Sequence, residues 1–470
     1  DEEYTRKIRE YTTEPFFGSP LVDYLPASKT VPTPKVVLGD IAGAPGKLPY
    51  SKEVYDYMRR LDAASPRVKV FSIGTTEEGR EMIAVAVASD RLMARYEDNR
   101  AKLAKLADPR TIGMNDDEAH RIMADVAPVY YITGAIHSPE TGSPTALMEL
   151  AYRLAVDNSP YVKSIRDSVL TLITPVVEVD GRNRMVDIYN WHLANPNQNW
   201  PSLIYWGKYV AHDNNRDAMA LTLKLSQNVL NTYLGWKAQV LHDLHESVPF
   251  LYVSTGTGPY NDEFDPIVID EWHTLAYHEI TELTRRGLPG VWTHGFYDGW
   301  APNYMLAIGN LHNSIGRFYE TYTSTGTECQ TVKLQASATE RRWDRPNPPV
   351  NGVKWCMRNN INFQQSGVMI ALKYVADNAR TFLDNYLAKA ERMVRKGQTS
   401  APYAFVIPRD QRRVAEAADL VNLFRAHGTE VHVASEDFEY KGSGVRSQGS
   451  GGVGLRVPGE NNQHLIPWCS

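Results

Sequence analysis

The chain has 470 residues, 43% of them hydrophobic, enough for a large core and, on length alone, for two or three domains. A net charge of −5 and a sequence pI of about 6.3 exclude a polybasic surface for nucleic acid or membrane, and no apolar run approaches the roughly 20 residues of a membrane span. Three cysteines, Cys329, Cys356 and Cys469, are too few for a disulfide framework. Cys329 and Cys356 are read as free thiols, with a pair left open for an oxidising compartment. The first residue is Asp1, not Met, which raises the expectation of a mature form whose export signal has been removed.

Residues 1–50 are Pro-rich and weakly patterned and read as an arm packed over the main domain. In SKEVYDYMRRLDAASP, Val54, Met58 and Leu61 fall on one side of a helix. VKVFSIGTTEEGREMIAVAVAS reads as two strands around a turn at Thr75 to Gly79. APVYYITGAI is apolar on both faces, as a central strand should be. SPTALMELAYRLAVDN follows as a helix, with Ser143 as its expected cap, Pro144 in the first turn, and Ala146, Leu147, Leu150, Ala151 and Leu154 as its apolar stripe. SVLTLITPVVEVDG and AQVLHDLHE are further buried strands, so residues 51–390 are expected to form a mostly parallel α/β sheet with helices. Residues 400–441 read as a β-α-β unit (YAFVIP, RRVAEAADLVNLFRAHG, EVHVAS), either packed on the main domain or an incomplete second one. Residues 442–470 read as a flexible Gly/Ser-rich tail, and there is no internal repeat.

Within YYITGAIHSPETGSPTALMELA the apolar strand stops at Ile136, and His137 and Glu140 occupy the short loop before the helix. Loops at the carboxyl ends of α/β strands are where sites are built. His-x-x-Glu alone is weak, because HGTE (His427 to Glu430) repeats it at a helix end, where the histidine simply suits the helix C-terminus. The first match has better context. Zinc takes imidazole and carboxylate ligands, and a catalytic site leaves one position open. A third ligand must come from another strand, and QVLHDLHESVPF offers His242 and His245. Residues three apart in a strand face opposite ways, so at most one serves. His245 lies closer to the strand's carboxyl end and is preferred, and His242 is read as a packed, hydrogen-bonded histidine. Asp243 shares the face of His245 and is either a partner that orients a ligand or an ordinary buried polar residue.

The motifs GAIHSPETGS (134–143), HDNNRD (212–217), LHDLHES (241–247) and RFYETYTSTG (317–326) occur in the order found in zinc carboxypeptidases of the carboxypeptidase A/B type, which the chain resembles over roughly residues 50–385. The resemblance implies a mixed, twisted central sheet of about eight strands with helices on both faces. It implies one Zn²⁺ per chain on His137, Glu140 and His245, and Glu320 as general base for a metal-activated water. It places Asn215 and Arg216 on the substrate's terminal carboxylate and a tyrosine over the substrate, Tyr297 in preference to Tyr304. Read without the family, Glu320 is a carboxylate between aromatic neighbours, where desolvation is costly, and NNRD is equally an Asx-type turn with a structural Arg–Asp pair.

Two departures leave specificity open. The family usually has another arginine shortly before the Asn-Arg pair. Here the nearest upstream basic residues are Lys208, Arg184 and Arg182, and Lys208, kept as a substrate-binding candidate, offers only a point charge. The acidic, aromatic segment 255–272 reads as a solvated loop, or else as a rim of the cleft. The expected activity is hydrolysis of C-terminal peptide bonds in peptides or proteins, in a secreted or periplasmic setting. The alternatives are a zinc amidohydrolase or deacylase, a cell-wall peptide amidase, or a non-catalytic binding protein on the same fold.

Overall fold

The computed structural model describes residues 1–208, 210, 213–323, 326–408, 410–435, 438–441, 454–457 and 463–467. Eight strands form one mixed sheet: β1 (Val68–Thr75), β2 (Glu81–Val87), β3 (Val129–Gly134), β4 (Leu170–Thr174), β5 (Val240–Glu246), β6 (Leu251–Val253), β7 (Val291–Trp292) and β8 (Ile315–Thr321), in the order β1-β2-β4-β3-β5-β8-β6-β7. The centre β4-β3-β5-β8 is parallel, β1 and β2 add to one side antiparallel, and β6 joins β8 antiparallel. Every residue of the four central strands is buried, which explains the largely apolar character of β3 and β4.

The helices that matter for the site are α1 (Ser51–Ala64), α2 (Ser143–Val156), α3 (Val179–Ala194), α4 (Lys224–Trp236), α5 (Pro266–Arg285), α6 (Met305–Leu311) and α7 (Met357–Asp377). Strand alternation assigns them to faces. On β8, Arg317 and Tyr319 meet Glu279 of α5, and Tyr319 also lies against Gly367 of α7. Gly316 and Phe318 point the other way, towards α6. A Cβ at Gly316 would stand 1.7 Å from the carbonyl oxygen of Leu306, so only glycine lets α6 approach this closely. Helices therefore cover both faces, and the sheet is the expected mixed one of eight strands.

Local details differ from the sequence reading. Ser143 does not cap α2: it is the first residue inside the helix, Gly142 is the N-cap, and no side chain caps the end. The run SVLTLITPVVEVDG is a strand only over β4. Its second half turns, and Glu178 caps α3 by accepting from the Gly181 amide. Cys329 and Cys356, read as free thiols, are joined in a disulfide. The arm is tied down by its own helix, Glu2–Tyr11, whose Tyr4 hydroxyl donates to Glu149 of α2 at 2.9 Å.

Contacts divide the chain into residues 1–104 with 120–386, and residues 105–119 with 387–470. In the second unit β9 (Ala404–Pro408), α8 (Val414–Ala426) and β10 (His432–Val433) occupy the predicted β-α-β stretch. β11 (Phe438–Lys441) pairs with β12 (Gly454–Val457), while β13 (Gln463–Pro467) lies between β9 and β10, antiparallel to both. Much of 442–470 lies outside the described residues. Where it is described, at 454–457 and 463–467, it is strand. In the decoy motif, His427 is the C-cap of α8 and Glu430 pairs with Arg110.

The layer of α2 and α7 is held by a buried ion pair. Arg358 donates to both carboxylate oxygens of Glu149, at 2.7 and 2.9 Å, and neither side chain is exposed. Removing one partner of such a pair leaves an uncompensated buried charge, which costs about 3–5 kcal/mol. Arg358→Met is expected to lower unfolding free energy in denaturant by about that amount. Adding Glu149→Gln should recover part of it, because the carboxylate that lost its two-pronged partner, and keeps Arg153 at 3.5 Å as its cationic partner, is gone.

Candidate active site

The site is built at the carboxyl ends of β3, β5 and β8. After β3 the chain leaves the sheet through Ala135, whose φ of +54° is left-handed and uncommon for a residue with a Cβ. The loop carrying His137 and Glu140 is then fastened from several sides. Glu246 accepts from the Gly142 amide at 3.0 Å, buried Arg182 donates to the Thr141 carbonyl at 2.9 Å, and the Ser138 hydroxyl donates to the Trp206 carbonyl at 2.7 Å. Gly181 permits the last contact, since a Cβ there would meet the Trp206 oxygen at 1.6 Å.

On β5, alternation sends His242 and His245 to opposite faces. His242 is fully buried, with its Nδ1 2.7 Å from the Tyr130 hydroxyl and its ring edge-on to Tyr319. Burial holds its pKa well below the usual value, so it is the packed, neutral histidine of the sequence reading. His245 turns to the other face and meets the loop. His137 Nδ1 lies 2.7 Å from Glu140 Oε1, and His245 Nδ1 lies 3.1 Å from Glu140 Oε2 and 3.2 Å from His137 Nδ1. One ligand atom from each of the three residues falls within 4.8 Å of the others.

Two imidazole nitrogens directed at each other beside a carboxylate suit a divalent cation between them. The far nitrogens support this. His137 Nε2 lies 2.9 Å from Asp213 Oδ1, and His245 Nε2 lies 2.8 Å from Asp243 Oδ2. A carboxylate on the far nitrogen keeps the proton there and leaves the near nitrogen free to bind metal. The chemistry of the donor set thus fits zinc, with three protein ligands. Burial opposes charge on His137, but Glu140 and Asp213 outweigh it and hold its pKa at about 9. The same negative charge that draws a proton there draws a cation.

The three ligands line a cavity of about 270 Å³ together with Glu320, Asn215, Arg216 and Tyr297. Glu320 is buried, and burial pushes its pKa up to about 7. Ser247 hydrogen-bonds its carboxylate. Arg216 is held by three contacts: its guanidinium reaches Asp213 Oδ2 at 2.9 Å, donates to the Asn215 carbonyl at 2.9 Å, and lies over the Tyr304 ring at 4.5 Å. Asn215 also anchors α6, its Oδ1 accepting from the Met305 amide at 2.9 Å. Of the two tyrosines, Tyr297 lines the cavity and Tyr304 packs beneath Arg216.

Not every expected residue is brought in. Lys208 is exposed and is not part of the cavity lining. Arg182 is spent on the Pro49 and Thr141 carbonyls, and Arg184 pairs with Glu78. Among the described lining residues Arg216 is therefore the one guanidinium or ammonium group. The segment 255–272 contributes nothing to the lining. Its Asp262 and Glu263 are exposed, and Asp265 caps α5. His212, at the start of the HDNNRD motif, lies outside the described residues. Sequence reasoning missed Asp213, Ser247, Trp206, Phe296, Leu306 and Phe318. Ser247 was recoverable from β5 alternation, since it follows Asp243 and His245 at steps of two. Trp206 and Phe296 come from loops and left no periodic signal.

The comparisons with known proteins bear on this geometry. Residues 54–247 match the zinc carboxypeptidase family. The match spans His137, Glu140, Asn215, Arg216 and His245, and the fold and the His-Glu-His cluster agree with it. The matched region and the His-Glu-His cluster, which could hold one zinc ion, support a metallocarboxypeptidase. No curated protein matches it in sequence. Solved structures similar to it include a metallo-carboxypeptidase from Burkholderia cenocepacia (16% identity, covering 70% of each chain, TM-score 0.46). A metallo-carboxypeptidase from Pseudomonas aeruginosa is 14% identical (70% of each chain, TM-score 0.44). Carboxypeptidase A from Helicoverpa armigera is 12% identical over 76% of this chain and 80% of that one, with a TM-score of 0.43.

Behind the loop of His137 and Glu140 sits a further carboxyl, Glu178, accepting from Asn214, whose amide also donates to the Ile136 carbonyl. Burial pushes its pKa from 4.5 up to about 8. Between those values the folded state keeps a proton that the unfolded chain releases. Its contribution to stability therefore falls as pH rises through that window and levels off above it. Melting temperature measured across the same window should decline less steeply for Glu178→Gln than for the unsubstituted protein.

Proposed function

We propose that this chain removes C-terminal residues from peptides or proteins, with His137, Glu140 and His245 holding one Zn²⁺, Glu320 as general base and Arg216 on the terminal carboxylate. The observation that carries the reading is that these side chains, from two strands and two loops, line one cavity. When bound, zinc acts as a Lewis acid on the scissile carbonyl and makes water a better nucleophile. Glu320, buried and near neutral in pKa, takes the proton of the attacking water and passes it to the leaving amine nitrogen. The Arg216 guanidinium, already oriented by Asp213 and Tyr304, meets the two oxygens of a free carboxylate. Tyr297, beside it, closes over the bound residue. The catalytic region is read as 51–390, with 1–50 as its arm. Among the described residues no helix is long and apolar enough to cross a membrane. The Cys329–Cys356 disulfide supports a secreted or periplasmic setting.

A second reading has one observation in its favour. The cavity's single guanidinium is already paired with Asp213, and no second one lines it among the described residues. A substrate without a free terminal carboxylate, an acyl-amino acid or a cell-wall peptide amide, asks less of that arginine.

A mixed peptide library followed by mass spectrometry separates these. Loss of C-terminal residues that stops with a chelator and returns with zinc is the expected result. Glu320→Gln should retain zinc and lower kcat by about 10²–10⁴-fold. Internal cuts, or no cleavage with zinc still bound, would move the reading to an endopeptidase or to the amide and deacylase alternatives.

Arg216→Met is expected to reduce kcat/KM on free-acid peptides by about 10–100-fold, the loss of a charge-assisted hydrogen bond of about 1.5–3 kcal/mol. Peptides with amidated C-termini should be poor substrates of both proteins. Equal cleavage of amidated and free-acid peptides would remove the exopeptidase role.

A further inference from the structure

We infer that Thr133 and Asp243 form a positioning relay, carried by the sheet, that sets the tautomer and orientation of His245 for zinc. The inference rests on the zinc reading above. Thr133 on β3 and Asp243 on β5 are direct partners in the parallel register. Both point to the site face, and both are buried. The Thr133 hydroxyl donates to Asp243 Oδ1 at 2.7 Å. The other oxygen, Oδ2, is buried and makes no hydrogen bond, and it lies 2.8 Å from His245 Nε2, closer than the Asn215 amide nitrogen at 3.4 Å. On the opposite side of the same ring, Nδ1 faces Glu140 and His137.

A buried carboxylate with a single vacant oxygen aimed at an imidazole is costly unless that oxygen takes a proton bond. Asp243 can only accept. It therefore keeps hydrogen on Nε2 and leaves the Nδ1 lone pair to the cluster. Thr133 fixes which way the carboxylate turns. The two histidine ligands are thus supported differently. Asp213, behind His137, sits on a loop and also serves Arg216. Asp243, behind His245, is fixed in a central strand and bonded to the next one. His245 is the ligand whose direction the sheet itself determines, and the loop ligands adjust to it. A purely structural Thr133–Asp243 bond would be served as well by an amide.

The test is the zinc dissociation constant of the full chain, from competition with a chromophoric chelator, with circular dichroism and melting of the metal-free proteins as the fold check. Asp243→Asn offers an amide that can present N–H to Nε2 and favours the wrong tautomer. It is expected to weaken zinc binding about 10–100-fold. Thr133→Val removes the hydroxyl at constant shape and should weaken it by about 2–10-fold, while Thr133→Ser should keep the unsubstituted affinity. An Asp243→Asn protein that folds and binds zinc within about twofold of the unsubstituted chain overturns the relay. If Asp243→Asn does not fold, the Thr133 pair decides, and equal affinities for Val and Ser overturn it. If the unsubstituted chain takes up no zinc, the zinc reading itself falls. That outcome is distinct from failure of the relay, in which the unsubstituted protein binds zinc normally.

Discussion

The period of two along β5 is the constraint from which the site follows. Asp243, His245 and Ser247 point to one face at the sheet's carboxyl edge, and His242, Leu244 and Glu246 point to the other. In the parallel register His245 stands beside Glu320 of β8, and Asp243 beside Thr133 of β3. The strand thus delivers His245 of the His-Glu-His cluster and the carboxylate behind it, and the residue just past its end a hydroxyl for Glu320. Its opposite face supplies Glu246, which fastens the loop bearing His137 and Glu140. A slip of one residue in the pairing would exchange the two sets and dismantle both functions together.

A site with this many buried charges needs compensation throughout. Glu140, Asp213, Asp243 and Glu320 converge on the cavity, and the imidazoles and Arg216 balance them in part. The pattern recurs away from the site, with Glu149 paired to Arg358 and Glu279 to Arg317, all fully buried. These pairs are weak contributors to net stability, because desolvation offsets most of the Coulombic gain. Their use here is geometric. Each joins a helix to another helix or to the sheet at a defined position. The Glu279–Arg317 pair fixes α5 against β8, the strand that carries Glu320.

The comparison of Arg216 with Lys208 shows how local context separates two basic residues only eight positions apart. Arg216 follows a turn that returns to the sheet edge, where Asp213, the Asn215 carbonyl and the Tyr304 ring hold its planar fork. Lys208 sits in the preceding loop and projects away. A guanidinium offers donors and a flat face that suit such a nest, while an ammonium offers neither.

Much of this was legible in the sequence. Apolar runs gave the central strands, the break at Ile136 marked the loop of His137 and Glu140, and alternation allowed only one of His242 and His245, with His245 preferred for its place nearer the strand's carboxyl end. The helix caps were less legible, because Gly142 and Glu178 act through backbone geometry that composition does not encode. So was the disulfide, because Cys329 and Cys356 are brought together by chain folding over a separation of 27 residues. The lining of the cavity by Trp206, Phe296 and Phe318 was not legible, since those residues come from loops and a distant strand with no shared period. What the sequence determined by itself is which residues sit at strand ends and which way they face, for these are local consequences of the pleat. What only the tertiary structure decided is which of them meet, because Asp213, Arg216 and Tyr304 reach one another across loops whose course depends on packing, not on pattern.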